Sequence, residues 1–281
     1  MQDFLDKPFS PSRMSVYGDC ALLFRYRTID KLPERPSLAA FKGTLVHSVM
    51  EQLFDHEPSQ RTVEHATTLL RPSLDALLKA NPEYVFAVDE SLDWPNGLDQ
   101  PSTAAIEALI EQATALTSSY FRLEQPQTLM PSEREHHVEV TLESGLKIHG
   151  IIDRIERTST GDIRISDYKT GKAPGDRWMD KYWFQMKFYA LLLYRSERVL
   201  ARELRLLFLG NTQLALLNPT VSDIEEFEQE VAVKAADIKK SIESGAFAAR
   251  PSRLCEWCSF KQFCPEQGGT LLPLPYTPTA H

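Results

Sequence analysis

Three side chains raise the first chemical question in this sequence. In the run Ile163 to Lys169, strand geometry puts residues i and i+2 on one face, so Asp167 and Lys169 point the same way as Ile163 and Ile165. An apolar strand face that ends in an acid and a lysine suggests a buried strand opening into a polar site. Asp153 interrupts the preceding strand between Ile151 and Ile155, and pairing through the 158–161 turn makes opposed residue numbers sum to about 319 or 320. That register brings Asp153 beside residues 166 and 167, so two carboxylates and an ammonium converge. Carboxylate oxygens suit Mg²⁺ or Mn²⁺, which keep waters that a phosphate can displace. A nearby ammonium can orient or deprotonate an attacking water and neutralise charge developing on phosphorus. The structural alternative is a surface Asp-Lys pair beside an acid at a strand end.

Further polar residues sit at helical spacing. His47 lies in Gly43-Thr44-Leu45-Val46-His47, with Glu51 one turn later, and Gln185 and Tyr189 share a helix face at i and i+4. Each alone is read more simply as a structural residue. Cys255, Cys258 and Cys264 form C-x2-C-x5-C, and Cys20 is the fourth cysteine. In a reducing compartment such a set reads as metal ligands or inert thiols rather than disulfides. Zinc and an iron-sulfur cluster both accept four thiolates, zinc being the commoner.

The elements that position these residues follow from periodicity. Helical spacing predicts helices over 12–28, 37–55, 60–80, 102–124 and 179–196, and Ser222 with Glu225 predicts a capping box for a helix over 222–244. Alternation predicts strands over 133–142, 146–157 and 162–169, joined by turns at 143–145 and 159–161, and two more around Gly210-Asn211. The end, 245–281, is Pro-rich and Cys-bearing. This order predicts one α/β unit with a mixed sheet and a helical stretch at about 57–130.

Composition adds exclusions. The 281 residues are 42% apolar and 25% charged, as in ordinary globular chains, and no apolar run reaches the ~18 residues of a membrane span. The expectation is a soluble, cytoplasmic chain with no membrane partner. A net charge of -8 argues against a general polyanion coat, although a carboxylate site that holds cations reverses its own local sign. Asp-Tyr-Lys-Thr-Gly-Lys is not a Walker A loop, which needs Gly at 166 and Ser or Thr at 173, where Ser166 and Ala173 stand. No ATP motor is expected.

Taken in order, G-x-x-x-H (Gly43 to His47), G-x-x-D (Gly150 to Asp153), D-x-K (Asp167 to Lys169) and Q-x-x-x-Y (Gln185 to Tyr189) resemble the RecB-like exonuclease branch of the PD-(D/E)xK nuclease superfamily, over about residues 10–266. The resemblance implies a restriction-endonuclease-like α/β core, with a central mixed sheet flanked by helices, in a single domain over 1–281. It implies that His47, Asp153, Asp167 and the Tyr168 carbonyl hold Mg²⁺ or Mn²⁺. Lys169 would position or activate water, and Gln185 and Tyr189 would support the site and DNA. One cysteine before the G-x-x-x-H helix and three after the core are similar to the AddB-type and CRISPR-associated arrangement. That implies a 4Fe-4S staple of Cys20 with residues 255–264, in place of structural Zn²⁺. The implied activity is a metal-dependent deoxyribonuclease, an exonuclease on single-stranded or frayed DNA ends in repair or recombination.

Two rivals stand beside it: a non-catalytic nucleic-acid-binding module, and a subunit docking on a helicase, a repair partner or CRISPR adaptation proteins. Arg25, Arg27, Lys172, Arg177, Lys181, Lys187, Arg250, Arg253 and Lys261, with Tyr17, Trp178, Tyr182, Trp183 and Trp257, form a diffuse set for a strand path.

Overall fold

A computed structural model describes residues 2–97, 99–158 and 160–278. Its centre is a five-stranded sheet in the order β1 (Pro131–Thr141), β2 (Lys147–Arg157), β3 (Ile163–Lys169), β4 (Ala201–Phe208), β5 (Gln213–Leu217). The pairs β1–β2, β2–β3 and β4–β5 are antiparallel, and β3–β4 is parallel. The expected meander and mixed sheet are both present. The β2–β3 register of Arg154 with Ser166 and Ile155 with Ile165 matches the expected sum. Ser159, in the expected 159–161 turn, lies outside the described residues.

Helices cover both faces. On one face lie α1 (Pro11–Asp19), α5 (Asp180–Glu197) and α6 (Val221–Ser244), sharing a core with Ile148, Ile152, Ile163 and Ile165. On the other lie α2 (Leu38–Leu53), α3 (Val63–Ala80) and α4 (Thr103–Leu123), with Tyr168, Leu207 and Leu209. Helix α2 starts where the Ser37 hydroxyl accepts from the Ala40 N–H, and it buries Leu45, Val46, Val49, Met50 and Leu53 at helical spacing.

Three expectations are corrected. The helix over 12–28 is broken: α1 ends at Asp19, Cys20 is extended, and a short helix (Ala21–Phe24) runs into a π turn (Arg25–Ile29). The capping box of α6 belongs to Thr220 and Asp223, two residues before Ser222 and Glu225. There the Thr220 hydroxyl accepts from the Asp223 N–H and Asp223 Oδ2 accepts from the Thr220 N–H at 2.8 Å. Finally, β2 does not alternate through Asp153: Ile151 is 47% exposed and Ile155 is fully buried. Gly150 faces α5 whereas Arg154, at even spacing from it, faces α4. The strand changes phase at Asp153, and the facing strand changes with it, since Glu135 there has φ 42°.

Two local features fix how the helices meet the sheet. A side chain at Gly150 would bring its Cβ within 2.9 Å of Leu192 Cδ1 and 3.1 Å of Tyr189 Cε1, so the glycine lets α5 lie close on β2. On the opposite face Arg154, 0% exposed, donates to Tyr168 Oη (2.7 Å), Ser166 Oγ (3.1 Å), Tyr120 Oη (3.1 Å) and Glu124 Oε1 (2.9 Å). Arg205 also pairs with Glu124 at 2.6 Å. Removing one partner from a buried ionic network leaves the others uncompensated. Arg154→Met should therefore cost about 3 kcal/mol of stability in urea unfolding, the low end for a broken buried pair because Arg205 still serves Glu124. A loss below about 1 kcal/mol, the range of exposed pairs, would refute this role.

Candidate active site

The site forms where β2 and β3 lose each other. Their last paired residues toward it are Arg154 and Ser166, and beyond them the Tyr168 N–H donates to Asp153 Oδ2 at 2.9 Å instead of to backbone. Asp167 and Lys169 project from β3 toward α5, and the Lys169 ammonium lies 2.7 Å from Asp167 Oδ2. It also donates to Gln185 Oε1 at 2.7 Å, while Gln185 Nε2 donates to Tyr189 Oη at 2.6 Å. The i, i+4 pair on α5 thus forms a relay that fixes the amide so that its oxygen faces the lysine. His47 reaches in from α2, with Nε2 2.8 Å from the Tyr168 carbonyl and Nδ1 3.4 Å from Asp153 Oδ2. All six side chains singled out in the sequence, with the Tyr168 carbonyl, therefore meet in one place.

Sequence reasoning missed Glu135. Its Oε1 is 3.9 Å from His47 Nδ1, and His47, Glu135 and Asp153 offer ligand atoms all within 4.8 Å of one another. The signal was available: the β1–β2 register pairs Arg134 with Arg154 and His136 with Ile152, so the same turn arithmetic that placed Asp153 beside β3 puts Glu135 across from Asp153. Glu51 lines a pocket with His47 and Glu135, and its backbone carbonyl accepts from Arg134.

Crowding of carboxylates sets the electrostatics. Burial, then Asp153, push the Asp167 carboxyl up to about 6 against the pull of Lys169, and burial with Asp153 pushes Glu135 up to about 7. Burial works against the charged forms of Lys169 and His47, yet the facing carboxylates prevail and both are raised. Lys169 is accordingly an ammonium. Asp167 is 1% exposed and its Oδ1 has no hydrogen-bond partner. An orphaned buried carboxylate oxygen among oxygen donors and an imidazole fits a hard divalent cation.

The four cysteines lie apart from this cluster. Cys20 sits between α1 and the Ala21–Phe24 helix, and Cys255, Cys258 and Cys264 lie on short turns after α6. All are half-buried and line one pocket with Leu22, Tyr26 and Phe260. The Ser252 N–H points at Cys255 Sγ, 3.4 Å away. Much of the basic set is employed structurally. Arg25, 2% exposed, pairs with Asp30 and donates to the Leu272 and Pro273 carbonyls, which corrects its place in a strand path. Tyr17 donates to the Asp237 carbonyl and Arg27 is held by Glu34. Trp178 and Trp257, at 68% and 74% exposed, remain on the surface with Lys172, Arg177 and Lys181.

The chain is similar to known proteins along nearly its whole length. It is 22% identical to the Gene 69 protein of Mycobacterium phage L5 over 91% of this chain and 95% of that one. It is 31% identical to a subunit of the ATP-dependent helicase/deoxyribonuclease of Streptococcus agalactiae, over 46% of this chain but only 10% of that protein. The crystal structure of a candidate exonuclease from Eubacterium rectale superposes with a TM-score of 0.56 at 16% identity, covering 99% of this chain and 93% of its own, which shows a common fold. The PD-(D/E)XK nuclease superfamily model matches residues 8–265, and the chain belongs to that superfamily.

Proposed function

We propose that this nuclease hydrolyses DNA phosphodiester bonds with Mg²⁺ or Mn²⁺, as an exonuclease on single-stranded or frayed ends in repair or recombination. The observation that carries the reading is the convergence of Asp153, the Asp167 carboxylate with its unpartnered Oδ1, and the Lys169 ammonium, held at 2.7 Å contacts by Asp167 Oδ2 and Gln185. His47, Asp153, Asp167 and the Tyr168 carbonyl would hold the cation, which when bound supplies a Lewis acid for the phosphate and lowers the pKa of water. Lys169, being charged, donates rather than abstracts: it orients the attacking water and offsets negative charge on the phosphorane. Gln185 and Tyr189 keep that ammonium aimed. The partial likeness to a helicase/deoxyribonuclease subunit supports a helicase or repair partner.

The whole chain is read as one nuclease domain, with the helical stretch at about 57–130 as an insertion. Cys20, Cys255, Cys258 and Cys264 are read as ligands of a 4Fe-4S cluster rather than Zn²⁺. Support comes from the shared apolar pocket and from an N–H aimed at a cysteine sulfur, the kind of contact that tunes such clusters.

Three measurements test this reading. With end-labelled single-stranded DNA, wild type should cleave with Mg²⁺ or Mn²⁺ and not with EDTA, and Lys169→Ala should be slower by about 10²-fold or more. Full activity in Lys169→Ala would remove the lysine from the mechanism. Anaerobically purified protein should carry about four irons per chain with thiolate-to-iron absorption, both lost in Cys258→Ser. Zinc in place of iron would overturn the cluster.

The third measurement concerns pH. Because the folded pKa values of Asp167 and Glu135 are raised, to about 6 and about 7, the folded state holds their protons more tightly than the unfolded one. These groups therefore cost no stability below their ordinary range, and the cost grows as pH rises to about 7. A cation that replaces the protons relieves it, so the rise in Tm on adding Mn²⁺ should be larger at about pH 8 than at about pH 5. An equal rise at both would show that the cation does not displace these protons.

A further inference from the structure

Lys169 has a third neighbour besides Asp167 and Gln185. Its ammonium lies 5.9 Å from the centre of the Tyr182 ring, and the Lys181 ammonium lies 5.7 Å from the same ring. Tyr182 stands on the first turn of α5, half-buried, in a T-shaped contact with Phe208 at 5.3 Å between ring centres. That contact fixes the ring beside the ammonium that would face the scissile phosphate, within reach of an adjoining base.

Trp178 stands one turn earlier. The short turn Asp176–Trp178 runs into α5 through a helical Met179, whose carbonyl accepts from the Tyr182 N–H at 2.9 Å, so Trp178 and Tyr182 sit at i and i+4. Trp178 is 68% exposed, and Lys172 and Arg177 are exposed near it in the chain. The backbone that carries it is nevertheless anchored. Leu209 N–H donates to the Lys169 carbonyl at 2.8 Å, Gly210 N–H to the Gly171 carbonyl at 3.1 Å, and Ala173 N–H to Asn211 Oδ1 at 3.0 Å. A Cβ at Gly210 would come within 2.6 Å of the Gly171 carbonyl carbon, so the turn between β4 and β5 meets this loop backbone to backbone. A ring displayed on an anchored loop binds with little ordering cost.

Aromatic rings flanked by cations suit the faces of nucleobases, with the cations serving the adjoining phosphates. Stacking within a duplex covers those faces, whereas an unpaired strand offers them. Building on the DNA nuclease reading, we infer that Tyr182 and Trp178 form a stacking platform for two successive bases beside the scissile phosphate. This platform, rather than the carboxylate cluster, selects single strands and frayed ends. Trp183, the next residue, does not belong to it, since it lines a separate cleft with Phe227 of α6.

The test is binding of the full chain to a short labelled oligothymidylate and to an equally long strand of abasic sites, by fluorescence anisotropy in EDTA so that neither is cut. Two stacked bases should make wild type prefer the thymidylate by about a hundredfold. Trp178→Leu and Tyr182→Leu, which keep apolar bulk and lose the ring, should each reduce that preference by about tenfold, and Trp178→Phe should retain most of it. No preference in wild type, an unchanged preference in the leucine variants, or an equal loss of affinity for both strands would overturn the platform. A wild type that prefers the thymidylate yet cuts neither strand with Mg²⁺ or Mn²⁺ would instead overturn the nuclease reading and leave the platform standing.

Discussion

The guanidinium of Arg154 is buried on the side of the sheet opposite Asp167 and Lys169, yet their placement depends on it. It grips Ser166 and Tyr168, which alternate along β3 with Asp167 and Lys169, and ties both to Tyr120 of α4 and to Glu124 just beyond its end. A one-residue slip between β2 and β3 would turn every side chain over and bury Lys169 against α4. Five donors in a rigid fork make such a slip costly in hydrogen bonds, whereas apolar residues at the same positions would tolerate it. Buried ion networks add little net stability, and their value here lies in register.

With register fixed, the opposite face can be built against ordinary folding preferences. Carboxylates are gathered where burial and mutual repulsion raise their proton affinity, and Lys169 answers them with a positive charge 2.7 Å from Asp167. The scaffold tolerates this because it spreads the cost. Gly150 lets α5 approach so that Gln185 and Tyr189 brace the ammonium, and the Tyr168 peptide serves twice, its N–H to Asp153 and its carbonyl to His47. Each group of the site is oriented by a neighbour that is itself packed.

Much of this was legible in the sequence because it follows from periodicity. The i, i+2 rule placed Asp167 with Lys169, turn arithmetic placed Asp153 across from them, and the i, i+4 rule joined Gln185 to Tyr189. What escaped depends on departures from periodicity. Glu135 and the phase change at Asp153 need a positive φ that no residue type announces, since glutamate is a poor left-handed residue. The break at Cys20 was hidden because Ala21 to Phe24 continue an apolar helical pattern. Arg25 read as surface charge because the Leu272 and Pro273 carbonyls that hold it are remote in sequence. The helix α6 starts two residues earlier than Ser222 and Glu225 suggest, because Thr220 and Asp223 offer the same spacing of a hydroxyl and an acid and form the box.

The same remote contacts bear on the role of the cysteines. A cluster joining Cys20 to residues 255–264 would close a very long loop, and loop-closure entropy makes such a link valuable where nothing else holds the ends. Here the ends are also held without it: Arg25 binds two carbonyls of the final segment, Tyr26 Oη donates to the Phe263 carbonyl at 2.5 Å, and Leu22 N–H to the Ala248 carbonyl. Tyr26 and Phe260 pack their rings together, and both line the cysteine pocket. A metal centre in that pocket would therefore add to an existing seam, stiffening the short turns that carry Cys255, Cys258 and Cys264. Those turns lack a hydrophobic core of their own. Among the described residues the candidate site, anchored by Arg154 and α5, shares none of these contacts, so loss of such a centre would loosen the final segment first and reach the carboxylates only through α1 and the sheet face it covers.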